Sequence, residues 1–562
     1  MCNPCFSVTE AGIIVWGLKK MNPNFPAQAQ NTPPPIDKWK VLISVMFGIF
    51  MIIIDSTVVN VAFQTLRREF GGTLADSQWV LSIYVLALGI TTPISGFLGD
   101  RFGTKTMYLL GLSMFLIGSF ACGLAPSLPF LIAARAFQGI GGGLAQPLGP
   151  AMLYRAFPMN EIGKALGIFG ISLSVGPALG PILGGLLVDA NLWRYIFFIN
   201  IPIGIVGIAM GMRYLPNVKT PKVPKFDPLG LGLSIIGFGS MLYAATTAEA
   251  NGWTSGPTLA YFGIGLVALT AFAIVELFVV KEPMLNLRMF AIRNYTNATF
   301  VGYIATVALF GAEFLMPIYL QAFRGRTALE AGTILLAVAA GSIITNPIAG
   351  RLYDKIGPRL IVATGFALLM FNTYQLAQIG PLTPINTIMG LLFIRGLGVG
   401  LALQTTFTTA LGSVPRAEVT RGSSLQNSTR FVVQAVAVAA LATVISSNIS
   451  PEVRNQRTQT REVASNGSSE RFGICETPGV ANEDNVPAAA ANLPAPAKAQ
   501  ARAAVQKACD ENIVGFEAAY RITFFASIAA LLAALFLPGW PGKWDGRAGL
   551  QGATRPVVGG GH

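Results

Sequence analysis

The sequence predicts an all-α polytopic membrane protein, built from two related six-helix halves with two further transmembrane helices inserted between them. Three observations carry that prediction. The composition is apolar, with 52% hydrophobic and 12% charged residues and a mean hydropathy of +0.57; soluble chains carry about twice that charge. Apolar runs of about 20 residues, each long enough to cross a bilayer, recur from Lys40 onward. A charged decapeptide follows corresponding apolar runs twice, as Gly96-Phe-Leu-Gly-Asp100-Arg101-Phe-Gly103-Thr-Lys105 and Gly350-Arg-Leu-Tyr-Asp354-Lys-Ile-Gly357-Pro-Arg359. A charged loop repeated in register marks an internal duplication. Its glycines suit a tight turn where helices come close. Its aspartate suits a helix cap or a basic partner on a neighbouring helix.

Residues 1–40 are polar and Pro-rich near Thr32–Pro35. Ala11–Gly17 is a short apolar run with no basic region before it, so no signal peptide is predicted; Met1 and Met21 both stand as starts. Spans at 41–63, 79–99, 107–125, 129–154, 162–187 and 195–215 form the N-terminal half, 41–215. Spans at 229–248 and 258–280 form the inserted pair, 229–280. Spans at 296–321, 330–350, 359–378, 384–412, 421–446 and 519–538 form the C-terminal half, 296–538. The insertion follows from spacing. The loop aspartates lie 354 − 100 = 254 residues apart, whereas six spans with short loops need about 190. Gly139, Gly141 and Gly143 in the fourth span are echoed by Gly396, Gly398 and Gly400 in the twelfth. Residues 447–518 form one long loop, polar and then Ala/Pro-rich from Pro487 to Ala504, expected to be largely mobile with a short helix at Ala499–Cys509. Residues 539–562 form a tail.

An even number of spans puts both termini on one side, and charge selects the side. With the N terminus cytoplasmic, the inside segments hold 23 Lys and Arg residues and the short outside loops 5, namely Arg67, Arg68, Arg194, Arg324 and Arg326. That excess predicts a multi-pass cell-membrane protein with both termini cytoplasmic and the 447–518 loop external. It also accounts for the net charge of +13, so no nucleic-acid partner is expected. Cys475 and Cys509 share the external loop and are expected to form a disulfide, whereas Cys2 and Cys5 are expected to stay reduced. Cys2 and Cys5 have a zinc-like spacing without a second pair. No metal or cofactor is expected. The only histidine is His562, which excludes histidine proton relays within the membrane. It also excludes a nucleophile–histidine pair, and no phosphate-cradling Gly-Lys-Ser/Thr loop occurs, so neither an enzyme nor an ATP-driven pump is predicted.

The Gly96 loop resembles the loop signature of the major facilitator superfamily, G-x-L-a-D-r-x-G-r-k, with Gly99 and Thr104 departing from it. In that family the loop controls opening and closing of the halves. The resemblance therefore implies gating roles for Gly96, Asp100, Arg101, Gly103 and Lys105, and for Gly350, Asp354 and Gly357 in the second copy. In the fifth span Gly167, Gly176, Gly180-Pro181 and Gly184-Gly185 leave a helix face free of side chains, and Pro181 bends the helix. This spacing matches the superfamily's antiporter signature, which implies export. In the fourth span Leu131, Arg135, Gln138, Gly139 and Gly141 resemble the family motif linked to proton transfer; an arginine held structurally by backbone carbonyls is the alternative. A lone Arg within a span tends to face a polar cavity. Asp55-Ser-Thr-Val-Val-Asn60-Val-Ala62 and the stretch from Trp193-Arg194 through Asn200-Ile-Pro202-Ile-Gly204 look like the fourteen-span EmrB/QacA drug:proton antiporter branch. Gln64 stands where that branch usually has Pro. The resemblance covers residues 40–446 and 519–538 and implies the major facilitator fold.

Ionisable residues within the spans are few: Asp55, Arg135, Glu276, Glu313, Arg395, Arg430 and Arg521. Glu276 and Arg521 sit near span ends, Asp55 and Glu313 deeper. A carboxyl in a low-dielectric cavity favours its neutral form, and a basic neighbour or bound cation favours its charged form. Protons and a cationic substrate can therefore exclude one another at one carboxylate; polar capping or ion pairing is the structural alternative. Asp55, Glu313, Arg135, Gln138 and Asn60 are the expected proton-coupling or substrate residues. The expected function is proton-coupled antiport of hydrophobic, often cationic drugs by alternating access. The alternative is export of an endogenous metabolite, lipid or peptide by the same fold. The expected partners are a small-molecule substrate, protons and the lipid bilayer, with a monomer favoured.

Overall fold

The computed structural model describes residues 37–217, 227–280, 283–448, 450, 473–477, 485–487, 490, 494–540 and 544, apart from the side chains at 64, 74–75, 249–251, 310–314 and 446. The segment before Asp37, most of the loop expected to be mobile, and most of the tail lie outside the described residues.

The N-terminal half is formed by α1 (Lys38–Phe70), α2 (Leu74–Phe102), α3 (Thr104–Gly123), α4 (Leu128–Ala145) continued by α5 (Leu148–Ala156), α6 (Ile162–Asp189), and short α7 (Tyr195–Phe198) leading into α8 (Asn200–Tyr214). The inserted pair is α9 (Pro228–Asn251) and α10 (Gly256–Ile274), the latter ending in a π-turn. The C-terminal half is α11 (Arg293–Ile318), α12 (Ala328–Ile356), α13 (Pro358–Leu376), α14 (Ile385–Gly412), α15 (Val419–Ser447) and α16 (Ala495–Ala534). Twelve described helical segments are long and apolar enough to cross a membrane. α11 and α13 are long helices packed among them.

The duplication is legible in the contacts. Gly103 (φ 98°) joins α2 to α3 and Gly357 (φ 80°) joins α12 to α13. At that left-handed φ, glycine turns the chain directly from one helix into the next. Lys105 donates to the Met212 carbonyl at 2.7 Å, near the end of α8. Its counterpart Arg359 donates to the Leu537 carbonyl at 2.5 Å, just past α16. Each loop thus holds the carbonyl end of the last helix of its own half, where cations are favoured. The glycine echo has the same basis. Gly139 and Gly143 let α4 approach the backbone of α2, and Gly141 that of α3. Gly396 and Gly400 do the same for α14 against α12, and Gly398 against α13.

The halves meet along two seams, α2 with α15 and α6 with α12. The α6 seam is the tighter one, because Gly163 and Gly167 lie against the backbone of Gly350 and Asn346. Along the other seam α9 packs against both α2 and α15, so the inserted pair flanks the junction of the halves. The last helix departs from expectation. It begins at Ala495, 519 − 495 = 24 residues before the expected span, and absorbs the short helix expected at Ala499–Cys509. The Ala-, Lys-, Arg- and Gln-rich stretch from Ala495 to Ala508 is a strong helix former and carries the last span out of the apolar layer unbroken.

Candidate functional site

A fully buried polar cluster in the N-terminal half is built on Asp55. Its α1 backbone is pressed by the glycine face of α6: a Cβ at Gly180 would overlap the Thr57 hydroxyl, and one at Gly184 would lie 3.0 Å from the Val58 carbonyl oxygen. The Asp55 carboxylate accepts from Arg135 Nη1 at 2.6 Å, Gln138 Nε2 at 2.9 Å and Asn200 Nδ2 at 2.8 Å. Arg135 Nη1 also donates to Gln138 Oε1 at 2.8 Å, and its Nε donates to the Val80 carbonyl at 3.2 Å. Its guanidinium lies 4.0 Å from the centre of the Tyr84 ring, and the Tyr84 hydroxyl donates to the Ile52 carbonyl at 3.3 Å. Asn200 further donates to Ser119 Oγ at 3.0 Å. Asp55, Gln138, Asn200 and Ser119 are fully buried, and Arg135 is 1% exposed. A charge taken so completely out of water needs both a counter-charge and hydrogen-bond partners; the Asp55 carboxylate has both.

Asp55, Arg135 and Gln138, picked out from the sequence, are thus brought together. Asn60 is not: five residues on from Asp55, it is turned about 140° around the helix and is exposed. Glu313 lies in α11 with its side chain outside the described residues. Arg395 of α14 is buried and donates from Nη2 to the Ala308 and Leu309 carbonyls of α11, both at 3.1 Å. Carbonyl contacts thus recur at both arginines. Asn200, Ser119 and Tyr84 were not singled out as site residues. The signal for Asn200 was present, as a polar residue inside the apolar run that follows Trp193.

A cavity of about 340 Å³ adjoins this cluster, between α1, α2, α9 and α15. Tyr84 and Ile52 line it and also belong to the cluster's surround, so one tyrosine ring lies between the buried ion pair and the cavity.

The charged-loop end of the bundle is shut. Buried Asp100 accepts from Arg155 Nη2 at 3.3 Å and from Arg421 Nε at 3.0 Å, the latter on α15 of the opposite half. Asp354 accepts from the backbone N–H groups of Gly163 at 2.9 Å and Lys164 at 3.0 Å, capping α6 of the opposite half. The two aspartates therefore reach across the two seams in exchanged fashion. Gly96 and Gly350 lie one turn before them, where the opposing backbones come closest: a Cβ at Gly96 would lie 3.1 Å from Arg421 Cα, and one at Gly350 would overlap the Gly163 carbonyl. Arg101 stacks over Phe102 at 5.6 Å. Ser95 and Ser424 are 2.9 Å apart, and the Tyr154 hydroxyl donates to the Thr408 carbonyl.

At the opposite end Cys475 and Cys509 are disulfide-bonded, with Cα atoms 5.0 Å apart. The bridge ties α16 to the segment 473–477. That segment also donates backbone bonds to the turn after α11, with Cys475 N–H donating to the Phe323 carbonyl at 2.8 Å, and Glu476 pairs with Arg324.

The pattern that defines the Major Facilitator Superfamily matches residues 45–438 of this chain. The MFS-type transporter YhcA of Bacillus subtilis is 35% identical over 404 residues, covering 72% of this chain and 76% of the relative. The multidrug resistance protein Stp of Mycobacterium tuberculosis is 32% identical over 412 residues, covering 73% and 76%. Among solved structures, the proton:xylose symporter XylE superposes with a TM-score of 0.53 at 14% identity, over 89% of this chain and 96% of that one. At that identity the likeness is one of fold.

Proposed function

The chain belongs to the major facilitator superfamily, and from that premise we propose that it exports hydrophobic, drug-like compounds in exchange for protons, by alternating access. It is a membrane transporter, not an enzyme. The observation that carries the finer reading is the Asp55–Arg135–Gln138–Asn200 cluster set behind an apolar cavity at the junction of the halves. The multidrug-resistance name of a relative aligned over most of the chain supports the same direction.

In this reading the charged-loop end is cytoplasmic, which the Lys and Arg asymmetry of the loops supports, and the conformation described above is shut on that side. Protonation of Asp55 removes the counter-charge of Arg135. The guanidinium then keeps its bonds to Gln138 and the Val80 carbonyl but leaves the carboxyl, and Tyr84 moves with it because the ring rests on that guanidinium. Opening toward the cytoplasm breaks the Asp100–Arg421 pair and frees the Asp354 cap on α6. The Asp55 proton is released there, and the restored ion pair resets the site. Glu313 in α11 is proposed as a second proton-coupling carboxylate in the other half.

Everted membrane vesicles test this. An imposed pH gradient, acid inside, is expected to drive uphill uptake of a lipophilic fluorescent drug, and a protonophore is expected to abolish it. Uptake unchanged by the protonophore refutes proton coupling.

A further inference from the structure

We infer that the cavity between α1, α2, α9 and α15 is a binding site for uncharged, largely apolar solutes carrying a hydrogen-bond acceptor, and that it selects against cations. The inference rests on the export reading and narrows its substrate class.

No Asp, Glu, Lys, Arg or His stands among the described residues that line the cavity. Its polar groups are neutral: Ser56, Ser82 and Tyr84 from α1 and α2, Gln146 at the α4–α5 junction, Thr246 of α9 and Gln434 of α15. The remainder is aliphatic apart from Phe431. A cation entering such a space loses its hydration and meets no counter-charge, a cost that neutral dipoles offset only in part. The acid behind the wall does not supply one. Asp55 is fully buried and its two oxygens take three N–H donors, among them Arg135, so the pair presents no net negative charge to the cavity. One face of the Tyr84 ring is taken as well, since it already stacks with the Arg135 guanidinium at 4.0 Å. What the walls offer instead is amide donors. The amides of Gln146 and Gln434 can satisfy a carbonyl, ether or phosphoryl oxygen on an otherwise apolar body, whereas the hydroxyls of Ser56, Tyr84 and Thr246 already donate to the Ile53, Ile52 and Tyr243 carbonyls. Leaving such a donor facing an apolar or cationic body forfeits a hydrogen bond in a dry site, which is how polar groups impose selectivity.

The composition of the walls assigns the inserted pair a part in this. α9 contributes Ala245 and Thr246 directly, because it packs along the α2–α15 seam. The cavity therefore has walls from the first half, the second half and the insertion, and Thr246 and Gln434 face it from the last two of these.

A matched pair of probes tests the inference on the purified full-length protein. Triphenylphosphine oxide is uncharged and carries one strong acceptor; methyltriphenylphosphonium has the same three rings and a permanent positive charge. Binding is followed by equilibrium dialysis of each compound. The oxide is expected to bind about tenfold tighter or more. Thr246→Asp and Gln434→Glu each place a carboxylate in the wall from a different helix, and each is expected to shift the preference toward the phosphonium by at least about tenfold. Tighter binding of the phosphonium by the unaltered protein, or no binding of the oxide, overturns the inference. So does phosphonium binding that Glu313→Gln abolishes, since α11 would then supply the counter-charge. Failure is separable from failure of the export reading. Oxide binding without gradient-driven flux sinks proton coupling alone, and gradient-driven flux of the phosphonium in preference to the oxide sinks this inference alone.

Discussion

Asp55→Asn is the sharpest perturbation of the cluster, because it removes one charge with almost no change in shape. The carboxylate has two acceptor oxygens, and three N–H donors are aimed at them: Gln138 and Asn200 at Oδ1, Arg135 at Oδ2. An asparagine supplies one oxygen and one NH₂. With its oxygen at the Oδ1 position, it keeps Gln138 and Asn200 but turns a donor on the Arg135 guanidinium. With its oxygen at the Oδ2 position, it keeps Arg135 and turns a donor on two others. Asn200 Oδ1, buried and without a hydrogen-bond partner, can accept the new NH₂ if the amide reverses, at the expense of its bond to Ser119. Hydrogen bonding can thus be largely recovered; the charge cannot. Arg135, 1% exposed, is left without its carboxylate, and breaking a buried pair in this way costs about 3–5 kcal/mol. In detergent, Asp55→Asn is therefore expected to lower the unfolding free energy by about that amount. Adding Arg135→Gln should restore about half of it, because the orphaned charge is then gone. In vesicles, Asp55→Asn is expected to abolish flux driven by a pH gradient, since the amide binds no proton, while expression persists. Strictly additive stability losses in the double variant would refute the pairing, and pH-driven flux at the unaltered rate in Asp55→Asn would refute its role in coupling.

The remaining predictions test the ends and the packing. Asp100→Ala takes the carboxylate away from Arg155 and Arg421 at once and is expected to slow turnover several-fold more than it weakens substrate binding, measured on one preparation; equal losses would indicate general misfolding. Asp354→Ala removes only a cap from α6, a loss of about 0.5–2 kcal/mol, so its effect on turnover should be the milder of the two. Gly180→Leu drives a side chain into Thr57 of α1 and is expected to give folded but uncoupled or inactive protein; coupled efflux at the unaltered rate would show that this face is not a packing contact. The Cys475–Cys509 bridge closes a sequence separation of 34, and its removal by Cys509→Ser should cost about 3–4 kcal/mol in the chain-entropy view. Mass spectrometry of unreduced, thiol-blocked protein should recover the linked peptides, and two alkylated cysteines would refute the bridge.

What the sequence alone determined was what repetition and hydrophobicity can carry. Apolar runs near the thickness of a bilayer mark the helices, since buried backbone in lipid must bond within its own segment. The Gly96 and Gly350 loops mark the duplication, because only glycine takes the left-handed turns at Gly103 and Gly357. Asp55 and Arg135 stand out because an ionisable group in a span is costly. Tertiary structure decided which of these groups meet. The partners of Asp55 lie 80, 83 and 145 residues away, and no local period encodes such distances. It separated Asn60 from the cluster by helical phase, added Asn200 and Ser119 from α8 and α3, and put α9 into the cavity wall through packing that hydropathy does not report. It also extended α16 outward from the bilayer, since hydropathy detects where a helix is apolar and not where it begins. The exchanged grips of Asp100 on Arg421 and Asp354 on α6 arise because two halves with the same fold face one another across the seams, so each loop finds the opposite half within hydrogen-bond reach.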